Sequence, residues 1–253
     1  MSVKELFDLS GRGAIVTGGS RGLGLQIAEA LAEMGAKVAI TARKKDELEA
    51  AKRHLDCEIF VSDIGKREAI PALVDDVTKR CGRIDILVNN AGATWGAPAE
   101  DHPLEAWDKL MNVNLTGLFL LSQLAAKRCM IPAKWGRIVN VASIAGLLGQ
   151  DPRFAPTAAY TATKHGVVGL TRQLAAEWGV HGITVNAICP GFFPSKMTKA
   201  TLATAGELVK EWTPTRRLGN DEDLKGLAVL LASEASRHIN GQAIAVDGGA
   251  SAV

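Results

Sequence analysis

Short apolar, β-branched runs alternate along the chain with longer segments whose apolar residues fall at helical spacing. Seven runs read as strands: GAIVTG (13–18), KVAITA (37–42), CEIFVSD (57–63), RIDILVNN (83–90), GRIVNVAS (136–143), GITVNAICPG (182–191) and QAIAVDGG (242–249). Between them lie helical patterns such as LGLQIAEALAEMG (23–35), which closes on a glycine suited to a helix C-terminus. Strands that are apolar on both faces and separated by helices predict a parallel sheet covered on both sides. The expectation is an α/β, doubly wound, mostly parallel seven-stranded sheet with right-handed crossovers.

Nothing in the pattern divides the chain: it carries no internal repeat, low-complexity run or Pro/Ser-rich linker. One domain over 1–253 is expected, with 190–219 as its one long irregular segment, ahead of a helix beginning near Asp221. An insertion of that size on an economical scaffold suggests a substrate lid. Composition adds exclusions. With 29 Lys+Arg against 27 Asp+Glu the net charge is +2, too balanced to favour a nucleic-acid or membrane partner. Cys57, Cys81, Cys129 and Cys189 form no CxxC pair, and the five histidines form no HExxH or His-x-His cluster, so reduced thiols and no metal are expected. No stretch reaches 18 apolar residues and the N-terminus lacks an uninterrupted apolar core, so a soluble cytoplasmic protein is expected.

Open α/β sheets bind ligands at the carboxyl ends of their strands. The first strand-to-helix turn reads Thr17-Gly18-Gly19-Ser20-Arg21-Gly22-Leu23-Gly24. Glycines let backbone approach a pyrophosphate closely, and the following helix offers unpaired N–H groups and a positive dipole end. The spacing departs from GxGxxG, and a glycine loop alone also fits a turn with no ligand. The second strand narrows the choice. An acidic residue at its end would bond a ribose 2′-hydroxyl and select NAD, whereas this chain has Thr41-Ala42-Arg43. Arg43, joined by Arg21 from the loop, would pair with a 2′-phosphate at about 1.5–3 kcal/mol per charge-assisted bond, which predicts NADP(H). The alternative is that both arginines are solvated.

The only tyrosine in the chain, Tyr160, stands four residues before Lys164, so in a helix the phenol and the ammonium share one face. Bringing a phenol from a pKa of about 10 to about 7 takes roughly 4 kcal/mol. One charge at about 4 Å and an effective dielectric near 20 supplies a similar amount. Such a pair can serve as general acid/base, although helical surfaces also carry it by chance.

Taken in order, TGGSRGLG, Asn89-Asn90-Ala91-Gly92, Asn114 in NVNLTG, Ser143 in NVASIAG, Tyr160 with Lys164, and Pro190-Gly191 make the chain resemble the short-chain dehydrogenase/reductases over essentially its whole length. The resemblance implies a Rossmann-type fold and a catalytic group of Asn114, Ser143, Tyr160 and Lys164. Ser143 would hydrogen-bond the substrate oxygen, Tyr160 would exchange a proton with it, and Lys164 would lower the tyrosine pKa and hold the nicotinamide ribose. Asn114 would help hold a water linking Lys164 to solvent. Cofactor contacts are implied at Gly18, Ser20, Arg21, Gly22, Leu23 and Gly24, and at Arg43, Asp63, Ile64, Asn90, Ala91 and Gly92. Others are implied at Tyr160, Lys164, Pro190, Gly191 and Phe193. A homotetramer is implied as well, with the helix near 158–178 as one packing surface.

For the substrate, a small carbonyl compound or secondary alcohol, the first expectation is a 3-oxoacyl thioester; the alternative is a keto-sugar or polyol of the gluconate 5-dehydrogenase kind. Phe192, Phe193, Met197, Leu202 and Trp212 would form an apolar wall, or merely pack the lid. Lys196, Lys199, Arg216 and Arg217 would face an acidic carrier, or water. The carrier-protein reductases hold their partner with basic residues just before the fifth and sixth strands, where this chain has Lys134 and His181. Ser143 and Tyr160 stand 17 apart, and the extra segment Gln150-Asp151-Pro152-Arg153-Phe154-Ala155-Pro156 should sit at the site's mouth, opposite Ala93 to Pro98, where Trp95 would line the pocket or fill a gap. A catalytically silent dinucleotide-binding sensor or scaffold remains as a reading of another class.

Overall fold

The computed structural model describes residues 1–253 except 152 and 155. Seven strands, β1 Gly13–Thr17, β2 Lys37–Ala42, β3 Cys57–Val61, β4 Ile86–Asn89, β5 Gly136–Val141, β6 Ile183–Pro190 and β7 Ala243–Val246, form one sheet. Its order is β3-β2-β1-β4-β5-β6-β7 and each pairing is parallel. The α-helices are α1 Val3–Phe7, α2 Gly22–Glu33, α3 Lys45–Lys52, α4 Ile70–Cys81, α5 Leu104–Met111, α6 Gly117–Ala125, α7 Ile131–Ala133, α8 Ala158–Trp178, α9 Lys199–Trp212 and α10 Lys225–Ala232.

Strand pleating sends successive side chains to opposite faces, and β1 shows why its Ala14-Ile15-Val16 run is apolar on both. Ala14 and Val16 pack with Ile27 and Leu31 of α2 and Ala228 and Leu231 of α10. Ile15, between them, packs with Ile70 and Val74 of α4 and Leu121 and Ala125 of α6. Helix α2 ends as its sequence requires: Gly35 takes φ +93°, and the amides of Gly35 and Ala36 bond back to Ala32 and Leu31 at 2.9 and 3.0 Å, a Schellman closure open to glycine. The register sets Thr17 beside Thr41 and Val16 beside Val88. The carboxyl ends of β1, β2 and β4 are therefore level, and the chain reverses its direction of winding between β1 and β4.

Two expectations change. The segment 190–219 is not irregular, since 14 of its residues form α9, kinked at Ala205. Val209 is its one fully buried side chain, so little helical stripe exists to read. The following helix begins at Lys225 rather than near Asp221, because 221–224 is spent on bends and a turn in which Asn220 Oδ1 accepts from the amides of Glu222 and Asp223. All four cysteines are free thiols. No helix among the described residues is long and apolar enough to cross a membrane.

Candidate active site

The glycine turn is held by β4's loop. Thr17 Oγ1 accepts from the amides of Asn90 and Ala91 at 3.0 and 2.9 Å, while Asn90 Nδ2 donates to the carbonyls of Thr17 and Gly18 at 2.9 and 3.2 Å. A Cβ on Gly24 would stand 2.4 Å from both Asn90 Nδ2 and Gly18 O, so the helix packs against the turn with no room for a side chain. Gly22 differs: its φ is +53°, and a Cβ there would meet nothing within 4 Å. Arg21, the N-cap of α2, gives no side-chain cap bond. The first amides of α2 thus lack a side-chain acceptor beside open space, the arrangement that suits a phosphate.

One cleft of about 590 Å³ runs along these strand ends. All of the expected cofactor residues line it: Gly18, Ser20, Arg21, Gly22, Leu23 and Gly24 from the first turn; Arg43, Asp63 and Ile64 beyond β2 and β3; Asn90, Ala91 and Gly92 after β4; Tyr160 and Lys164 from α8; Pro190, Gly191 and Phe193 after β6. At the β2 end, Thr41 Oγ1 and Ser62 Oγ are buried without a hydrogen-bond partner, and both residues line the cleft. Buried orphan hydroxyls call for a partner that the protein itself does not supply. Together with the open N-terminus of α2 they fit a dinucleotide with its adenosine at this end. Arg21 also meets a partner within the protein: its Nη1 lies 3.0 Å from Glu47 Oε1, which also takes Lys44 Nζ at 3.4 Å. Spacing along the sequence could not show this, because the partners sit on different elements 26 residues apart.

At the other end of the cleft, Ser143 follows β5 and caps a short 3₁₀ turn, Ile144–Gly146, accepting from Ala145 N at 3.1 Å. The hydroxyl proton is left to donate elsewhere. Gly146 presses this turn onto α8, where a Cβ would stand 2.6 Å from Lys164 O. Tyr160 and Ser143 line the cleft together, and Lys164 Nζ lies 5.5 Å from the Tyr160 ring centroid and donates to Val141 O at 2.7 Å. Burial raises the phenol above its ordinary value, with the nearby Ser143 hydroxyl opposing. Burial pushes the Lys164 ammonium down to about 8. The Lys164 ammonium donates to a backbone carbonyl, Val141 O, within reach of the tyrosine ring. In this structure the phenol is protonated at neutral pH.

Asn114 sits behind the cleft rather than in it. Its amide donates to Ala93 O and Thr163 Oγ1 at 2.9 and 3.0 Å and accepts from Ala93 N at 2.8 Å. The side chain expected to hold a water is engaged in fixing the Ala93 loop. It does so from a π-helical turn, Asn112–Thr116, that interrupts the helix between α5 and α6.

The mouth differs from an acyl channel. Phe154 lies 5.5 Å from Phe192 and 5.3 Å from Trp212, ring centre to ring centre, and Phe193 is buried in the core beneath. These aromatics pack the lid on the inserted segment instead of forming a wall, leaving exposed Met197 on the cleft. Of the inserted segment, 152 and 155 lie outside the described residues. Of its described part, Pro156 meets the 93–98 loop, its carbonyl accepting from Ala97 N at 2.9 Å, while Trp95 is 44% exposed and fills no gap. Arg217 is paired with Asp223. Lys134 and His181 precede β5 and β6, at the amino ends of strands whose carboxyl ends form the cleft. About 20 Å of strand separates them from Ser143.

Fold and cleft define a nucleotide-binding α/β oxidoreductase architecture, and comparison with known proteins gives the family. Residues 18–251 match the family profile described as Enoyl-(Acyl carrier protein) reductase. Gluconate 5-dehydrogenase of Gluconobacter oxydans (strain 621H) is 41% identical, with 98% of each chain covered. The 2-dehydro-3-deoxy-D-gluconate 5-dehydrogenase of Bacillus subtilis (strain 168) is also 41% identical, over 97% of this chain and 96% of its own length. Among solved structures, a gluconate 5-dehydrogenase from Burkholderia cenocepacia J2315 in complex with NADP and tartrate superposes with a TM-score of 0.92 at 35% identity, covering 100% of both chains. The chain belongs to the short-chain dehydrogenase/reductase family and is an oxidoreductase. The relatives' names favour the sugar-acid and polyol alternative over the 3-oxoacyl thioester.

Proposed function

We propose that the protein interconverts a secondary alcohol and a ketone on a gluconate-like sugar acid or related polyol, using NADP(H). The observation that carries the substrate choice is the packing of Phe154, Phe192 and Trp212 on one another. It removes the apolar wall that an acyl chain would need and leaves a polar floor of Ser143 and Tyr160. The sugar-acid names of the relatives and the NADP in the Burkholderia structure support the same reading.

In this reading the N-terminus of α2, with Gly18 to Gly24, holds the pyrophosphate. Arg43 and Arg21 take the 2′-phosphate, Asp63 and Ile64 flank the adenine, and Asn90, Ala91 and Gly92 follow the adenosine side. Pro190, Gly191 and Phe193 border the nicotinamide, with Tyr160 and Lys164 at its ribose. NADP, when bound, supplies or accepts the hydride. Ser143 donates its free proton to the substrate oxygen and orients it against the Tyr160 phenol. Tyr160, protonated at neutral pH, gives its proton to the oxygen in reduction and recovers it in oxidation. Lys164 keeps a positive charge beside the phenol below about pH 8, and Asn114 fixes the Ala93 loop along one wall. A homotetramer belongs to the same reading, with α8 leaving Ala162, Gly169 and Ala176 exposed at seven-residue spacing.

The test is a panel of gluconate, 5-keto-gluconate, neutral polyols and 3-oxoacyl thioesters, followed by NADPH absorbance. Turnover with the sugar acid or polyol pair and none with the thioester is expected. Preferential thioester reduction would overturn the substrate assignment.

A further inference from the structure

At the β2 end of the cleft four charged side chains crowd one corner: Arg21, Arg43, Lys44 and Glu47, all lining the cleft. Arg21 is the N-cap of α2, Lys44 is the N-cap of α3, and Glu47 stands in the first turn of α3. Glu47 Oε1 is 3.0 Å from Arg21 Nη1 and 3.4 Å from Lys44 Nζ, so one carboxylate oxygen is shared by two cations. The carboxylate is the least exposed member of that trio, at 23% against 49% for Arg21 and 57% for Lys44. Beside them, the buried Thr41 and Ser62 hydroxyls are unpartnered, an independent sign that a ligand completes this corner.

We infer that Glu47 sets how sharply the protein separates 2′-phosphorylated from unphosphorylated dinucleotides, and that Lys44 is a further cation for the 2′-phosphate. The inference deepens the NADP assignment proposed above and rests on it. A 2′-phosphate must win Arg21 and Lys44 from a carboxylate that already holds them, and it meets like-charge repulsion from that carboxylate. A dinucleotide with a free 2′-hydroxyl meets a corner whose cations are already neutralised, so it leaves no unpaired charge behind. Glu47 thereby narrows the preference that three cations alone would give.

The test is equilibrium binding of NADP⁺ and NAD⁺ to the full-length protein by titration calorimetry, with no substrate present. Glu47→Gln should raise the ratio of NAD⁺ to NADP⁺ dissociation constants about tenfold, the scale of releasing two partly exposed ion pairs. Lys44→Gln should lower it. Glu47→Ala serves the same purpose should the glutamine variant fold poorly. A ratio unchanged or lowered by loss of Glu47, or unaffected by loss of Lys44, would overturn the inference. The wild-type ratio tests the NADP assignment separately, because the change on substitution is defined whichever dinucleotide the wild type prefers.

Discussion

Replacing Lys164 by methionine should make the protein more stable while disabling it. The side chain is 5% exposed, and its ammonium is pushed from the ordinary 10.5 down to about 8 by burial. A depressed lysine pKa is a stability cost, because the folded state binds its proton less tightly than the unfolded chain does. At pH 7 both states carry the proton, and the difference of 10.5 and about 8 corresponds to a cost of about 3 kcal/mol. Removing the ammonium also leaves the Val141 carbonyl without its 2.7 Å donor, which returns about 1 kcal/mol. Lys164→Met should therefore gain about 2 kcal/mol at pH 7. As pH rises from 8 towards 10.5 the folded lysine is already neutral while the unfolded one still holds its proton, so the wild type regains stability. By pH 9.5 the remaining cost is about 1.4 kcal/mol, and the variant's advantage should nearly vanish. Equilibrium urea unfolding followed by circular dichroism at pH 7 and pH 9.5 reads both values. A variant less stable at pH 7, or an advantage equal at both pH values, would refute the claim that the folded protein confines a costly charge beside Tyr160.

Two further outcomes follow from packing. Gly24→Ala must displace Asn90 or the Gly18 carbonyl, both 2.4 Å from the new Cβ, so it should destabilise the fold and weaken dinucleotide binding together. Gly22→Ala meets open space and costs only the strain of its +53° φ, about 1–2 kcal/mol, so its loss should fall mainly on binding; thermal melts with and without NADP⁺ separate the two. Phe154→Ala removes a buried ring from the contact with Phe192 and Trp212 and should cost about 3–5 kcal/mol. With the lid loosened, KM for substrate should rise more than Kd for NADPH, which steady-state kinetics and fluorescence titration would show.

The core and the cleft were legible for the same reason. Strands buried on both faces are apolar along most of their length, so β1, β2 and β6 stand out, and the glycines after β1 mark a turn packed closely against the loop after β4. Asn114 and Ser143 were found by position in ordered motifs, but the sequence did not reveal what Asn114 touches, because its partners at Ala93 and Thr163 are 21 and 49 residues away. Helix α9 gave no signal, since one buried valine makes no stripe. The aromatic residues of the lid were visible while their direction was not: whether Phe192 lines a pocket or meets Phe154 depends on how two loops from different strands approach each other. Lys44 and Glu47 give no signal in the sequence, because an i to i+3 pair of opposite charges is common on helix surfaces and only the fold brings Arg21 to it.

The Tyr160 phenol, which lines the cleft beside Ser143, is the group that exchanges a proton with the substrate oxygen. The most direct measurement compares Tyr160→Phe with the wild type for turnover of the sugar-acid or polyol pair and for NADPH affinity by fluorescence titration. The account predicts a fall in kcat of about 10²–10⁴ with NADPH affinity changed little. Turnover close to wild type in a variant that binds NADPH normally would contradict it.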